Sequence, residues 1–383
     1  MNNKRNKQIL TICCTVYQVI LAVHLKDTVY KNDNVDIVIA DTMNDSKRIE
    51  KRINKSRIFR KAINAKLDDY NKRINKYKPG GAIREFLLQY DIRHALPDMM
   101  NIKDKYDVLL AGNINYLSEM AYNYIRKYLN RDVKVLFYED GLSAYSIFGW
   151  SIDTSIKSYT NRDRFFNHLF GKKIMAENIE ALYTFYPELM QWKKEFPLIK
   201  IETMDKNNPM FLKKINYIFN YNDSHKDAYN EPVIFFEESY YADNLYINDI
   251  SIVKQIASYV GKDNLLIKLH PRNKVDRFKE LGLKTNQYTA VPWEVIILNN
   301  DFENKILISF ASASIVMPYL LFGIKTKSIS LLRAYKIKWI PFYRNLYAFL
   351  LNVIYKLDEN VFFVPESPEE LKKYLEEKLL EQQ

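Results

Sequence analysis

The feature that most constrains this chain is a recurrence of short apolar runs, four to six residues long, separated by stretches with helical periodicity. In the first half they are Ile9–Cys14, Val35–Ala40, Tyr106–Ala111 and Val133–Tyr138. In the second half they are Val233–Phe236, Leu265–Leu269, Lys305–Phe310, Thr326–Leu331 and Val361–Val364. Runs that are apolar on both faces suit parallel strands covered by helices on each side. Their alternation with helices predicts βαβ units and an α/β chain with doubly wound sheets. The pattern weakens between residues 151 and 231, where polar clusters and Pro209 and Pro232 predict a connection. The reading therefore places one domain over residues 1–195, a linker over 196–231 and a second domain over 232–383, with a cleft between the two halves. The last helix is predicted from Ser367 as N-cap, Pro368 in the first turn and Glu370 completing a capping box.

Several function classes drop out early. The two cysteines, Cys13 and Cys14, are adjacent, which excludes a disulfide framework and a cysteine-based zinc site. Nine glycines with one adjacent pair, Gly80-Gly81, leave neither a G-x-G-x-x-G turn nor a Walker P-loop. The formal net charge of +11 favours an anionic partner: nucleic acid, an anionic membrane surface or a negatively charged substrate. No basic-aromatic repeat or nucleic-acid motif accompanies the charge, so no nucleic-acid partner is expected. The dense cations of the 47–78 segment, interspersed with Ile53, Ile58, Ile63 and Leu67, suit a solvated helix face or a polyanion-facing surface. At the start, Lys4, Arg5 and Lys7 precede a largely apolar stretch, but Thr11, Thr15, Tyr17, Gln18 and His24 interrupt it and no cleavage site follows. A first strand running into a helix from about Val16 is expected instead, in a cytoplasmic protein.

Three strand ends carry candidate chemistry. Phe137-Tyr138-Glu139-Asp140-Gly141 closes an apolar strand with two acids and a glycine, which suits a turn presenting a carboxylate. Lys268-Leu269-His270-Pro271-Arg272 holds an imidazole between two cations at a strand that Pro271 terminates. Those cations disfavour the protonated ring unless an anion such as a phosphate binds beside it; a protonated histidine would then assist the phosphate's departure. Ser309-Phe310-Ala311-Ser312-Ala313-Ser314 offers small hydroxyl side chains that cap a helix or hold a phosphate. Between the last two, Pro292-Trp293-Glu294 opens a helix, and Glu294 either complements its dipole or bonds a ribose. No D-x-D triplet and no paired histidines at metal spacing occur, so phosphate charge would be offset by Lys, Arg, His and helix dipoles.

Taken in order, Glu139-Asp140-Gly141, His270-Pro271 and Ser312-Ala313-Ser314 resemble the motifs of the bacterial sialyltransferases. Cys14-Thr15-Val16-Tyr17-Gln18 and Pro292-Trp293-Glu294 look most like the lipooligosaccharide and capsule branch, glycosyltransferase family 52, with the polysialyltransferase branch close behind. The resemblance implies a GT-B fold, two Rossmann-like domains facing across a cleft. It also implies CMP-sialic acid as donor, a glycan acceptor, no metal or other cofactor, and inverting transfer to a sugar hydroxyl of capsular polysaccharide or lipooligosaccharide. On this pattern His270 assists the departing CMP, Ser312 or Ser314 holds its phosphate, and Lys268, Pro271, Arg272, Glu294 and Gly141 line the binding site. The base is Glu139 or Asp140 on one branch's pattern and Asp243, in Ser239-Tyr240-Tyr241-Ala242-Asp243, on the other's. A CDP-glycerol type polyol-phosphate transferase is the other enzyme class with similar histidine chemistry. The pattern also allows a homodimer and peripheral membrane contact, for which the 331–339 segment, mixing Arg333, Lys336 and Lys338 with Trp339, is the candidate, a buried strand being its other reading.

Overall fold

A computed structural model describes residues 5–67, 100–146, 148–192, 196–222, 228–245, 247–286, 291–337 and 361–381, with a few positions between 348 and 356. The chain divides into two compact units, Met1–Glu202 and Thr203–Gln383.

The first unit contains β1 (Gln8–Cys13), α1 (Val16–Asp27), β2 (Asn34–Ala40), α2 (Ser46–Ser56), β3 (Lys61–Ala65), β4 (Val108–Ala111) and α3 (Tyr116–Tyr124). It continues with β5 (Lys134–Tyr138), α4 (Leu142–Ser146), α5 (Phe148–Ser158), α6 (Asn161–Leu169), β6 (Ile179–Thr184) and β7 (Leu198–Lys200). All its strand pairs are parallel, in the order β3-β2-β1-β4-β5-β6-β7. Strand order reverses between β1 and β4, and the crevice beyond their carboxyl ends is where such sheets bind ligands. Leu10, Ile12, Val38, Leu109, Val135, Phe137 and Leu182 from five strands share one core cluster. That explains why these runs are apolar.

The second unit contains α7 (Pro209–Phe219), β8 (Val233–Phe236), α8 (Asp249–Val260), β9 (Leu265–Lys268), β10 (Lys284–Asn286), α9 (Trp293–Asn299), β11 (Ile306–Ser309), α10 (Met317–Phe322), β12 (Lys327–Ser330), β13 (Phe362–Phe363) and α11 (Pro368–Leu380). Its sheet is also parallel, in the order β10-β9-β8-β11-β12-β13, with the reversal between β8 and β11. Both units therefore have the Rossmann-type α/β architecture.

All nine expected strands are present, most with ends that differ by one or two residues, and four more join them. β3 lies inside the basic 47–78 segment, where Lys61 opens an edge strand, the kind of position where charge blocks further pairing. β6, β7 and β10 are short or carry polar residues and have no apolar run to betray them. The expected connection over 196–231 gives β7 to the first sheet and α7 to the second unit, and the division falls between Glu202 and Thr203. In α2, Ile49 and Ile53 are buried while Lys47, Arg48, Lys51 and Lys55 are exposed, which is a solvated helix face. Residues 68–78 of that segment lie outside the described residues.

Leu331, Leu332, Ala334 and Ile337 are buried in a turn, not a strand, and Arg333 pairs with Glu366 at 2.5 Å; Lys338 and Trp339 lie outside the described residues. Ser367 caps α11, accepting from the Glu370 amide at 3.2 Å. Among the described residues no helix is long and apolar enough to cross a membrane.

Candidate functional site

In the first unit, Tyr138-Glu139-Asp140-Gly141 leaves β5, and strand alternation sends the two carboxylates in opposite directions. Glu139 goes into the core, with 0% of its surface exposed. Its Oε1 accepts from Tyr17 Oη at 2.7 Å. Its Oε2 accepts from Thr184 Oγ1 and the Phe185 amide, both at 2.9 Å, and from Tyr145 Oη. Burial raises its pKa against these donors. Such a group braces β5, β6, α1 and α4 and keeps no oxygen for solvent.

Asp140 lies at the carboxyl ends of β1, β4 and β5, beside the strand-order reversal. Asn113 Nδ2 donates to its Oδ2 at 3.2 Å, and the side chains of Gln18 and Thr15 also favour its charged form. Burial outweighs them and raises its pKa, which makes the carboxylate a better proton acceptor. Gly141 follows in the left-handed region, φ 61°, and turns the chain sharply into α4. The neighbouring thiols are pushed up to about 12 for Cys13 and about 11 for Cys14, both chiefly by burial, so they stay protonated.

Gly112 follows β4, and a Cβ there would lie 2.7 Å from Gln18 Nε2 and 2.8 Å from the Tyr138 ring. Gln18 is fully buried and fixed by the Cys14 amide at 2.6 Å. Gly112→Ala is therefore expected to destabilise the protein by about 1–3 kcal/mol through overpacking. A shift in the urea midpoint with unchanged m-value is the measurement.

In the second unit, β8, β9 and β11 end side by side. His270 follows β9; its amide donates to Glu237 Oε2 at 3.0 Å, and its Nδ1 accepts from the Arg272 amide at 3.2 Å. A ring nitrogen accepting from a backbone N–H carries no proton, so the neutral ring's proton sits on Nε2. Burial, then Arg272, then Lys268 pull the pKa down to about 4 against the opposing pull of Asp243. The direction matches the sequence reading, and the Nδ1 contact favours a neutral Nε2–H donor over the protonated ring expected there.

Pro271 is exposed at the turn. Arg272 Nη1 donates to Asp243 Oδ1 at 2.8 Å, Nη2 to Ser239 Oγ at 2.7 Å, and Ser239 Oγ to Asp243 Oδ2 at 2.6 Å. Both oxygens of Asp243 are thus engaged. Lys268 stands over the Trp293 ring at 5.9 Å; burial lowers its pKa to about 8, opposed by Glu294, whose own pKa burial raises.

The serine loop after β11 is tied down at several points. Trp293 Nε1 donates to the Ser314 carbonyl at 2.9 Å, and Ser330 Oγ donates to the Phe310 carbonyl at 2.6 Å. Ser312 Oγ accepts from the Ser314 amide at 3.2 Å and donates to Ser314 Oγ at 3.1 Å. Ser312's hydroxyl proton is thereby committed, while that of Ser314 stays available to a ligand.

His270, Arg272 and Asp243 form one cluster; Lys268 and Glu294 meet around Trp293, which also holds the serine loop. Glu139, Asp140 and Gly141 lie in the first unit. Sequence reasoning missed Asn113, Glu237 and Glu238. The signals were a Gly-Asn step after β4 and two acids directly following the all-apolar β8. Among the described residues no group of three or more His, Cys, Asp or Glu has an arrangement that would hold a metal ion.

A family model described as alpha-2,8-polysialyltransferase (POLYST) matches residues 9–330. No curated protein matches the chain. Among solved structures, the spinosyn rhamnosyltransferase SpnG is similar with a TM-score of 0.51 and 9% identity, covering 98% of this chain and 91% of its own. TcCGT1 in complex with UDP is similar with a TM-score of 0.51 and 11% identity, covering 99% and 92%. At these identities the likeness speaks to the fold, which is GT-B.

Proposed function

From the premise that this chain is a glycosyltransferase of the alpha-2,8-polysialyltransferase family, we propose an inverting, metal-independent transfer of sialic acid from CMP-sialic acid to a glycan hydroxyl. Capsular polysaccharide or lipooligosaccharide is the proposed acceptor. The observation that carries this reading is the set of side chains at the ends of β8, β9 and β11. An imidazole with its Nε2 proton free to donate, two flanking cations and a serine hydroxyl suit a phosphate that gains charge as it leaves.

CMP is a good leaving group, because a phosphate of this kind has a second pKa of about 6. It needs hydrogen bonds and positive charge more than a full proton. In the proposed arrangement His270 Nε2–H and Ser314 Oγ–H donate to the phosphate, and Lys268 and Arg272 supply charge. Glu294 is proposed to bond the ribose. Sialic acid's anomeric carbon then becomes oxocarbenium-like, and a carboxylate takes the proton of the attacking hydroxyl. Asp140 is proposed as that base. Glu139 is sealed in the core, and Asp243 is held in an ion pair by the Arg272 guanidinium at 2.8 Å, whereas Asp140 has neutral amide and hydroxyl partners.

The test offers CMP-sialic acid and CDP-glycerol separately, with EDTA present, and measures nucleotide release with a glycan acceptor. Release from CMP-sialic acid alone, at a rate EDTA does not change, is the expected result. Turnover of CDP-glycerol in its place would move the assignment to polyol-phosphate transfer. Strong inhibition by EDTA would remove the metal-independent reading.

A further inference from the structure

We infer that the tandem acids closing β8, Glu237 and Glu238, are positioning residues, one setting the His270 turn and the other the serine loop. The inference rests on the proposed phosphate-holding role of His270 and Ser314. β8 is the strand at the reversal of the second sheet, with β9 on one side and β11 on the other. Glu237 and Glu238 follow β8 directly, alternation puts their side chains on opposite faces of the sheet, and their hydrogen bonds go to different neighbours.

Glu237 serves β9. Its Oε2 takes the His270 amide at 3.0 Å, and its Oε1 takes Arg277 Nη2 at 2.8 Å. Arg277 also pairs with Asp249 at 2.5 Å and lies over the Tyr241 ring at 4.7 Å. The Glu237 side chain is 0% exposed, so its charge is held by these partners and not by water.

Glu238 serves β11. Its Oε1 takes both Ser309 Oγ at 2.9 Å and the Ala311 amide at 2.6 Å. Ser309 Oγ in turn takes the Ser312 amide at 2.7 Å, and Ser312 Oγ donates to Ser314 Oγ. An unbroken series of hydrogen bonds therefore runs from the carboxylate to the hydroxyl left for the ligand. Asn273, whose amide closes the His270 turn, ties that turn to the loop after β8, donating to the Glu238 carbonyl at 2.9 Å and accepting from the Ala242 amide at 3.1 Å.

The test compares Glu238→Ala and Glu238→Gln with the wild type, using hydrogen exchange at the Ala311 and Ser312 amides and calorimetric titration with CMP. Glu238→Ala is expected to speed exchange at both amides and weaken CMP by about tenfold. Glu238→Gln keeps an oxygen acceptor and is expected to stay within about threefold of the wild type in both readouts. Steady-state kinetics on the Glu237→Gln variant is expected to show the opposite split, a fall in kcat larger than any rise in the donor KM. Unchanged exchange at Ala311 and Ser312 in a folded Glu238→Ala protein overturns the inference. A wild type that does not bind CMP refutes the proposed donor instead, while the exchange rates still decide the positioning role.

Discussion

Replacing His270 with alanine is expected to lower turnover of CMP-sialic acid by between about 100-fold and about 10,000-fold, the usual reach of one positioned proton donor. The Arg272 amide occupies Nδ1, and burial with two neighbouring cations keeps the ring neutral down to about pH 4. What the transition state would lose is the Nε2–H bond to the departing phosphate. Glutamine at this position places an N–H near the same point, so His270→Gln is expected to recover part of the loss. A glutamine variant as inactive as the alanine one would mean that a full proton is transferred.

The sign of the pH effect follows from the same geometry. Because the folded pKa is lowered, the ring's charge does not change between about pH 5 and about pH 8, where free imidazoles titrate. Protonation below that window would add a cation beside Arg272 and Lys268, opposed by Asp243, while Glu237 is held by the His270 amide and the Arg277 guanidinium. No alkaline decline of kcat/KM arising from His270 is therefore expected near neutrality; the decline expected is that of Lys268, whose pKa burial lowers to about 8 and whose charge is lost above it. A decline there that disappears in His270→Gln would contradict the neutral-donor reading.

Asp140→Asn is expected to produce a second loss of about 100-fold to 10,000-fold, through removal of the base. Asn113, Thr15 and Gln18 still have a polar partner in the amide, so folding is expected to be preserved. Since burial raises the Asp140 pKa, its ionised fraction grows over a higher pH range than for a free carboxylate, and kcat/KM is expected to rise with pH through that range. Glu139→Gln should behave differently. It disturbs a carboxylate that four donors brace in the core, and its expected signature is a stability loss of about 1–3 kcal/mol by urea unfolding. Asp243→Asn loosens the Arg272 contact, with a rate loss within about tenfold. If Asp243→Asn proves the more damaging change and Asp140→Asn the milder, the base is Asp243.

Which elements a reader of the sequence can find depends on how they are buried. β8 matches its apolar run residue for residue, because Val233–Phe236 is covered on both faces and so contains nothing polar. β3 starts with Lys61 and contains Asn64, so it merges into a run of surface cations. The site follows a similar rule. His270-Pro271 and the serine loop declare themselves because a strand end, a proline and small hydroxyls are local features. Which of Glu139 and Asp140 enters the core depends on Tyr17 and Thr184, 122 and 45 residues away, and no local pattern carries that information. Glu237 escaped notice for the same reason, since its partner Arg277 lies 40 residues on.

The break between Glu202 and Thr203 gives each half a complete sheet with its own interior. Under the proposed roles, the half bearing Asp140 receives the incoming hydroxyl and the half bearing His270 handles the nucleotide. A lineage changing its clientele of sugars is then expected to accumulate substitutions before residue 203. Recombination at that seam would exchange recipients while leaving nucleotide handling intact.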